Sequence, residues 1–231
     1  MTRKILKAAI ILAVIAGLGI LGYSIVSRRS DKSDKDYKSD EDYRWKLSEK
    51  LTVIVHKTGE RSVLNNATNT IMGKYDDIFC DEKTDESVVV VIRDFLFGYI
   101  STETGEAIFE PQFLYAWPDG IDFESGLASC VNKEHKLGFV NVKTKEIAIP
   151  FQFQFTIYYD YVFSNGFCRI TESFVDDWEF DKNDFEIGLI DTSGKIIIPA
   201  NYDEIDVCDD GIVAIKNGMP FVYDYNGVLI E

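Results

Sequence analysis

The chain has 231 residues, of which 46% are hydrophobic and 27% charged, so a domain-sized core is within reach and disorder by composition is excluded for most of it. Lys and Arg number 24 against 39 Asp and Glu, a formal net charge of −15. The first 30 residues hold five of the cations and no acid, so the rest carries −20, a balance that excludes a basic face for nucleic acid.

Ala8 to Val26 is a 19-residue run without a charge, AAIILAVIAGLGILGYSIV. At about 1.5 Å per residue such a run spans a bilayer core. Arg3, Lys4 and Lys7 precede it, and Arg28 and Arg29 follow it. The expectation is a single membrane-spanning anchor. A cleaved signal sequence is the alternative, because Gly22-Tyr23-Ser24 offers small residues at a cleavage site. Orientation has two readings. The excess of Lys and Arg after the run favours a cytoplasmic C-terminal side. The short basic start followed at once by an apolar run favours export, and an extracytoplasmic domain is the preferred expectation.

Residues 28–47 read as a charged spacer. From Arg28 to Arg44 there is no aliphatic residue, so the segment cannot form a core. From about Leu51 the texture changes to short β-rich runs between turn residues: Leu51–Val55, Val88–Ile92, Ile147–Ile149, Ile196–Ile198 and Ile212–Ile215. No stretch carries sustained helical periodicity with caps.

Three segments align with one another. Each is apolar-Gly-apolar-apolar, a polar turn, an apolar run and then Pro: Phe97-Gly98 to Pro111, Leu137-Gly138 to Pro150, and Ile187-Gly188 to Pro199. This predicts a β-hairpin that Pro ends, since Pro cannot donate to a ladder. Gly126-Leu127-Ala128, Gly166-Phe167-Cys168 and Gly211-Ile212-Val213 recur downstream. A degenerate unit opens the array at Tyr75–Ile92, and a partial one closes it at Phe221–Ile230. Anchors some 30 to 50 residues apart mean stacked or radial repeats.

This pattern resembles the WG (KWG) repeat family. The best match is Gly188-Leu189-Ile190-Asp191 with Gly194-Lys195, Ile196-Ile197-Ile198-Pro199 and Tyr202-Asp203. Phe123-Glu124-Ser125-Gly126-Leu127-Ala128 fits the second half of a unit. The signature Trp is missing; Phe97, Leu137, Ile187 and Pro220 occupy its place. The resemblance implies an all-β domain over residues 48–231, of about four units plus a partial one. It implies binding rather than catalysis, in proteins mostly of bacteria and often joined to export or membrane segments. An open β-solenoid and a small propeller-like ring both suit it.

The cysteines Cys80, Cys130, Cys168 and Cys208 form no metal or redox spacing and read as isolated buried thiols. Cys80 and Cys208 hold equivalent places in two units, where a bridge is conceivable if the array closes. Asp177, Glu179, Asp181 and Asn183 alternate as a calcium loop begins, but Lys182 and Gly188 stand where that loop needs its turn and its closing chelator. No Gly-rich phosphate loop follows a strand. Neither metal, cofactor nor nucleotide is therefore expected.

Two insertions stand out. Tyr115–Gly120 carries Trp117 and Asp119, and Thr171–Asp184 carries Asp176, Asp177, Trp178 and Glu179. Inserted segments in repeat arrays lie in loops and often bind. Aromatic rings beside carboxylates suit sugars or cationic partners. These six residues are the candidate ligand site of a non-catalytic binding or scaffold module with a protein or glycan partner. The alternative is a cell-envelope hydrolase acting on glycans through paired carboxylates.

Overall fold

A computed structural model describes residues 42–80, 87–156, 161–171 and 186–230. The described residues hold β-strands and no helix. None of them forms a helix long and apolar enough to cross a membrane, and the run at 8–26 lies outside them. The chain divides into two compact units, Met1–Ser87 with Thr102–Gly105 and Val88–Ser101 with Glu106–Glu231.

In the first unit, β1 (Tyr43–Lys46), β2 (Leu51–Val55), β3 (Arg61–Asn65) and β4 (Thr70–Tyr75) form one antiparallel sheet in chain order, followed by β5 (Asp77–Phe79). The strand β1 falls inside the stretch expected to be spacer. Its half-buried Tyr43 and Trp45 alternate with exposed Arg44 and Lys46, and pairing with β2 supplies the partner that its composition alone does not announce.

The second unit is a series of antiparallel meanders. The strands β6 (Val88–Arg93), β7 (Leu96–Ser101) and β8 (Ala107–Phe113) are neighbours in one sheet. The next sheet contains β9 (Tyr115–Asp122), β10 (Leu127–Val131), β11 (Leu137–Asn141) and β12 (Glu146–Phe153). Then come β13 (Phe167–Thr171), β14 (Ile187–Asp191) and β15 (Ile196–Tyr202), and last β16 (Glu204–Cys208), β17 (Gly211–Lys216) and β18 (Met219–Tyr223). Consecutive sheets share cores. Phe139, Ile149 and Tyr161 pack with Cys168, Ile170 and Ile190 between the second sheet and the third. Leu189, Ile198 and Tyr202 pack with Ile205, Ile212 and Ala214 between the third and the last. A sheet buried on both faces needs apolar residues at every position, so the inner strands read as unbroken apolar runs.

The three aligned hairpins are β7–β8, β11–β12 and β14–β15, and they share an irregular register. Phe97 faces Phe113 and Tyr99 faces Phe109. Leu137 faces Phe153 and Phe139 faces Ile149. Ile187 faces Tyr202 and Leu189 faces Ile198. Two extra residues are therefore accommodated at the same place in each outer strand. Pro111, Pro150 and Pro199 sit in that bulge. They do not end the hairpin; the strand runs on to Phe113, Phe153 and Tyr202. A bulge tolerates Pro because the ladder is already broken there. The bulge also explains the glycine opposite. A Cβ on Gly98 would stand 2.6 Å from the Phe109 carbonyl oxygen, and one on Gly188 would stand 2.7 Å from the Ala200 nitrogen. The outer strand crosses the space that any side chain would need.

Tyr115–Gly120 is not a loop. It belongs to β9, whose register against β10 slips between Ala128 and Cys130 and leaves Trp117–Gly120 as a bulge within the strand. The four cysteines are thiols, not bridged to one another. Cys130 and Cys168 are buried as expected, whereas Cys80 is half-buried and Cys208 exposed.

Candidate recognition surface

The elements of the second unit fix where its variable segments emerge. The connections β6–β7, β10–β11, β13–β14 and β17–β18 are set by the last residue pairs before each turn: Arg93 with Leu96, Val131 with Leu137, Thr171 with Ile187, and Lys216 with Met219. The β13–β14 connection thus holds fifteen residues where β10–β11 holds five. Its base is firm. Thr171 and Ile187 are both buried, and Thr171 also bridges to Gln154. Trp178, Asp176, Asp177 and Glu179, four of the candidate site residues, lie within that connection and outside the described residues.

The other two candidates are described, and the fold treats them differently. Trp117 is 4% exposed. Its ring sits edge-on to Tyr115, Tyr161 and Phe155, with centroids at 4.7, 5.0 and 6.2 Å. It is core, not a free contact face. Asp119, two residues on in the same bulge, is exposed.

Several acids elsewhere in this unit hold turns. The Asp191 carboxylate accepts from the amides of Ser193 and Lys195 at 2.9 and 3.0 Å and from the Ser193 hydroxyl at 2.6 Å. Burial opposes ionisation there, yet the Ser193 hydroxyl and the two amides outweigh it and hold the carboxyl below its usual range. Asp224 is arranged alike, with the Val228 amide first among the donors that lower it. Asn141 makes the same clamp on Lys143 and Thr144 with a neutral side chain. A general acid needs the opposite displacement. Among the described residues no three of His, Cys, Asp and Glu gather as a metal site. The shallow depression lined by Tyr161, Arg169, Ile170 and Ile187 leaves no room for a small molecule, whose pocket needs a few hundred Å³.

One constellation in the first unit escaped the sequence. His56 Nδ1 lies 3.1 Å from Asp42 Oδ2, and its Nε2 lies 2.8 Å from Ser62 Oγ. The order Asp-His-Ser matches a nucleophile relay. Ser62, however, is 0% exposed, so no substrate carbonyl reaches its Oγ; the histidine satisfies a buried hydroxyl. Only the pairing of β1 with β2 brings Asp42 beside His56, and that pairing was not legible.

With the hairpin, its bulge and its Asp191 turn in view, comparison with known families gives a match over the same residues. Residues 187–218 match the family model of the WG containing repeat. The match runs from β14 through β17 and its turn, so one sequence repeat straddles two sheets. It supplies the last two strands of one and the first two of the next. The WG repeat's Gly is Gly188 under the bulge, and its Trp position is taken by buried Ile187. No curated protein matches the chain. Among solved structures it is similar to BamB from Moraxella catarrhalis, at 9% identity and a TM-score of 0.37, over 79% of this chain and 57% of that one. It is also similar to the WD40 β-propeller domain of Doa1, at 13% identity and a TM-score of 0.31, over 79% of this chain and 64% of that one. The chain spans less than two thirds of either.

Proposed function

We propose that the chain is a membrane-anchored, non-catalytic binding or scaffold module whose repeat domain faces outside the cytoplasm. The observation that carries the reading is the division of labour among residues. The meanders place most of their apolar side chains in the cores between sheets, and Asp122, Asp191 and Asp224 are committed to turns. The β13–β14 connection is ten residues longer than its β10–β11 counterpart, and it concentrates Trp178, Asp176, Asp177 and Glu179. An aromatic face with flanking carboxylates selects cations or accepts sugar hydroxyls. Asp119 is exposed in the β9 bulge, while Trp117 supports that strand from the core.

The test replaces 172–185 with a short Gly-Ser turn. Unchanged melting with lost retention of partners from a cell-envelope extract is the expected result. A fall in melting temperature would make Trp178 a packing residue. Unchanged binding would move recognition elsewhere.

A further inference from the structure

The described part of the second unit contains three two-residue turns with positive φ at both positions. Asn165 and Gly166, at φ 51° and 82°, lie between the antiparallel partners Ser164 and Phe167. Asn217 and Gly218, at φ 52° and 75°, close β17–β18. Asn-Gly is the pair that such a turn favours, because both residues tolerate the left-handed region. Asp94 and Phe95, at φ 52° and 62°, close β6–β7. Asp suits the first position. Phe at the second is a bulky L-residue in a conformation its Cβ disfavours.

Packing does not repay that strain. The Phe95 side chain is 90% exposed, more than any other large apolar residue described. Stability alone would place Gly or Asn there, as it does at Gly218. Backbone strain without an internal contact to justify it points to a function held outside the fold. The tip is also rigid. Val88–Ile92 is buried throughout, and Phe97–Ile100 opposite it is buried as well, so the ring is presented on a fixed base at little ordering cost.

We propose that Phe95 is an anchor that inserts into an apolar pocket of a protein partner, with a basic rim on that pocket facing Asp94. The charge around the tip selects this occupant over a lipid surface. Arg93 is engaged by Glu110 at 2.5 Å, Asp94 adds an acid beside the ring, and the chain is strongly acidic overall. Peripheral membrane contacts turn Lys and Arg toward lipid beside their apolar residues, whereas the one cation of this tip, Arg93, is paired with Glu110. A single aromatic ring in a desolvated pocket is the usual energetic centre of a protein interface. The inference rests on the binding-module reading and adds to it a second contact, separate from the β13–β14 connection.

The test places the photo-crosslinking residue benzoylphenylalanine at position 95 of the full chain in cells. A discrete adduct is expected on illumination. Excess unlabelled chain should compete it away at least tenfold better than the Phe95→Gly chain, and Phe95→Gly should melt no lower than the parent. Equal competition by both chains, or no discrete adduct, overturns the proposal. So does a fall in melting temperature for Phe95→Gly, which would make the ring a packing residue. Flotation with vesicles of zwitterionic or anionic lipid that Phe95→Gly abolishes would assign the ring to a membrane instead. A chain with 172–185 replaced by Gly-Ser is run alongside. Loss of partner retention in that chain with the position-95 adduct intact supports two separate contacts. Loss of both overturns the anchor as an independent one.

Discussion

Gly98, Gly138 and Gly188 are required by what passes over them. At Gly138 a Cβ would lie 2.7 Å from the Phe151 ring and 3.0 Å from the Ile149 carbonyl oxygen, and at Gly98 and Gly188 the obstacle is backbone. Backbone yields less readily than a side chain. Gly188→Ala is therefore expected to cost about 1–3 kcal/mol, the range for overpacking a well-filled site, and to show as a lower midpoint in urea. Phe221 stands at the equivalent place in the last meander without such a penalty, because among the described residues the chain beyond β18 pairs back only through Val228, Leu229 and Ile230, opposite Val222–Asp224. Tyr202 illustrates a different residue-scale effect. Burial first, then its hydroxyl contact with Tyr223 and the charge of that neighbour, raise its pKa to about 12. A raised folded pKa adds stability that is whole below the unfolded value near 10 and is lost as pH rises through the folded one. Alkaline unfolding monitored by circular dichroism should thus steepen between about pH 10 and 12, and Tyr202→Phe should flatten that limb.

The hairpin is the element that the sequence describes best, and its turn is where a prediction is sharpest. Asp191 anchors three hydrogen bonds in five residues. Its folded pKa is depressed, so its contribution is present above the unfolded value near 4 and disappears as pH falls below it. Asp191→Ala should cost about 1 kcal/mol at neutral pH, the net worth of an exposed hydrogen-bonded clamp, and progressively less as pH falls below about 4. Asp191→Asn should keep most of it, as Asn141 does in the neighbouring hairpin. Comparing the three aligned segments was enough to locate these hairpins and the extra length after β13, because the Gly, the turn acid and the Pro each answer to a local requirement. What the sequence hid answers to partners instead. The role of Pro199 depends on the register across the hairpin. Trp117 looked like an insertion because three register positions are absorbed in a β9 bulge, which leaves the chain longer without making a loop. β1 looked like spacer because its burial comes from β2 rather than from its own apolar content. Trp178 and its acids fall outside the described residues, so only the frame of their connection is seen.

At the scale of the whole chain, the straddling repeat is a device for joining sheets. A unit that gives its first hairpin to one sheet and its second to the next ties the core the two sheets share, as at Asp203, the one residue between β15 and β16. Such a domain draws its stability from contacts between neighbouring repeats. It needs nothing from an apolar segment ahead of it in sequence. The uncharged run at 8–26, followed by the polar stretch from Arg28, is then available for another purpose, and a bilayer is the environment it suits. The expected outcome is concrete. The full chain should sediment with membranes and be released by detergent but not by high salt or carbonate. A chain starting at Asp42, the first described residue, should be soluble and melt within about 2 °C of the full chain, because its sheets are intact. Protease added to intact cells should remove the repeat domain from the anchored form if it faces outward. Full protection until the cells are lysed would place the domain on the cytoplasmic side. Release of the full chain by salt alone would make residues 8–26 something other than a membrane span.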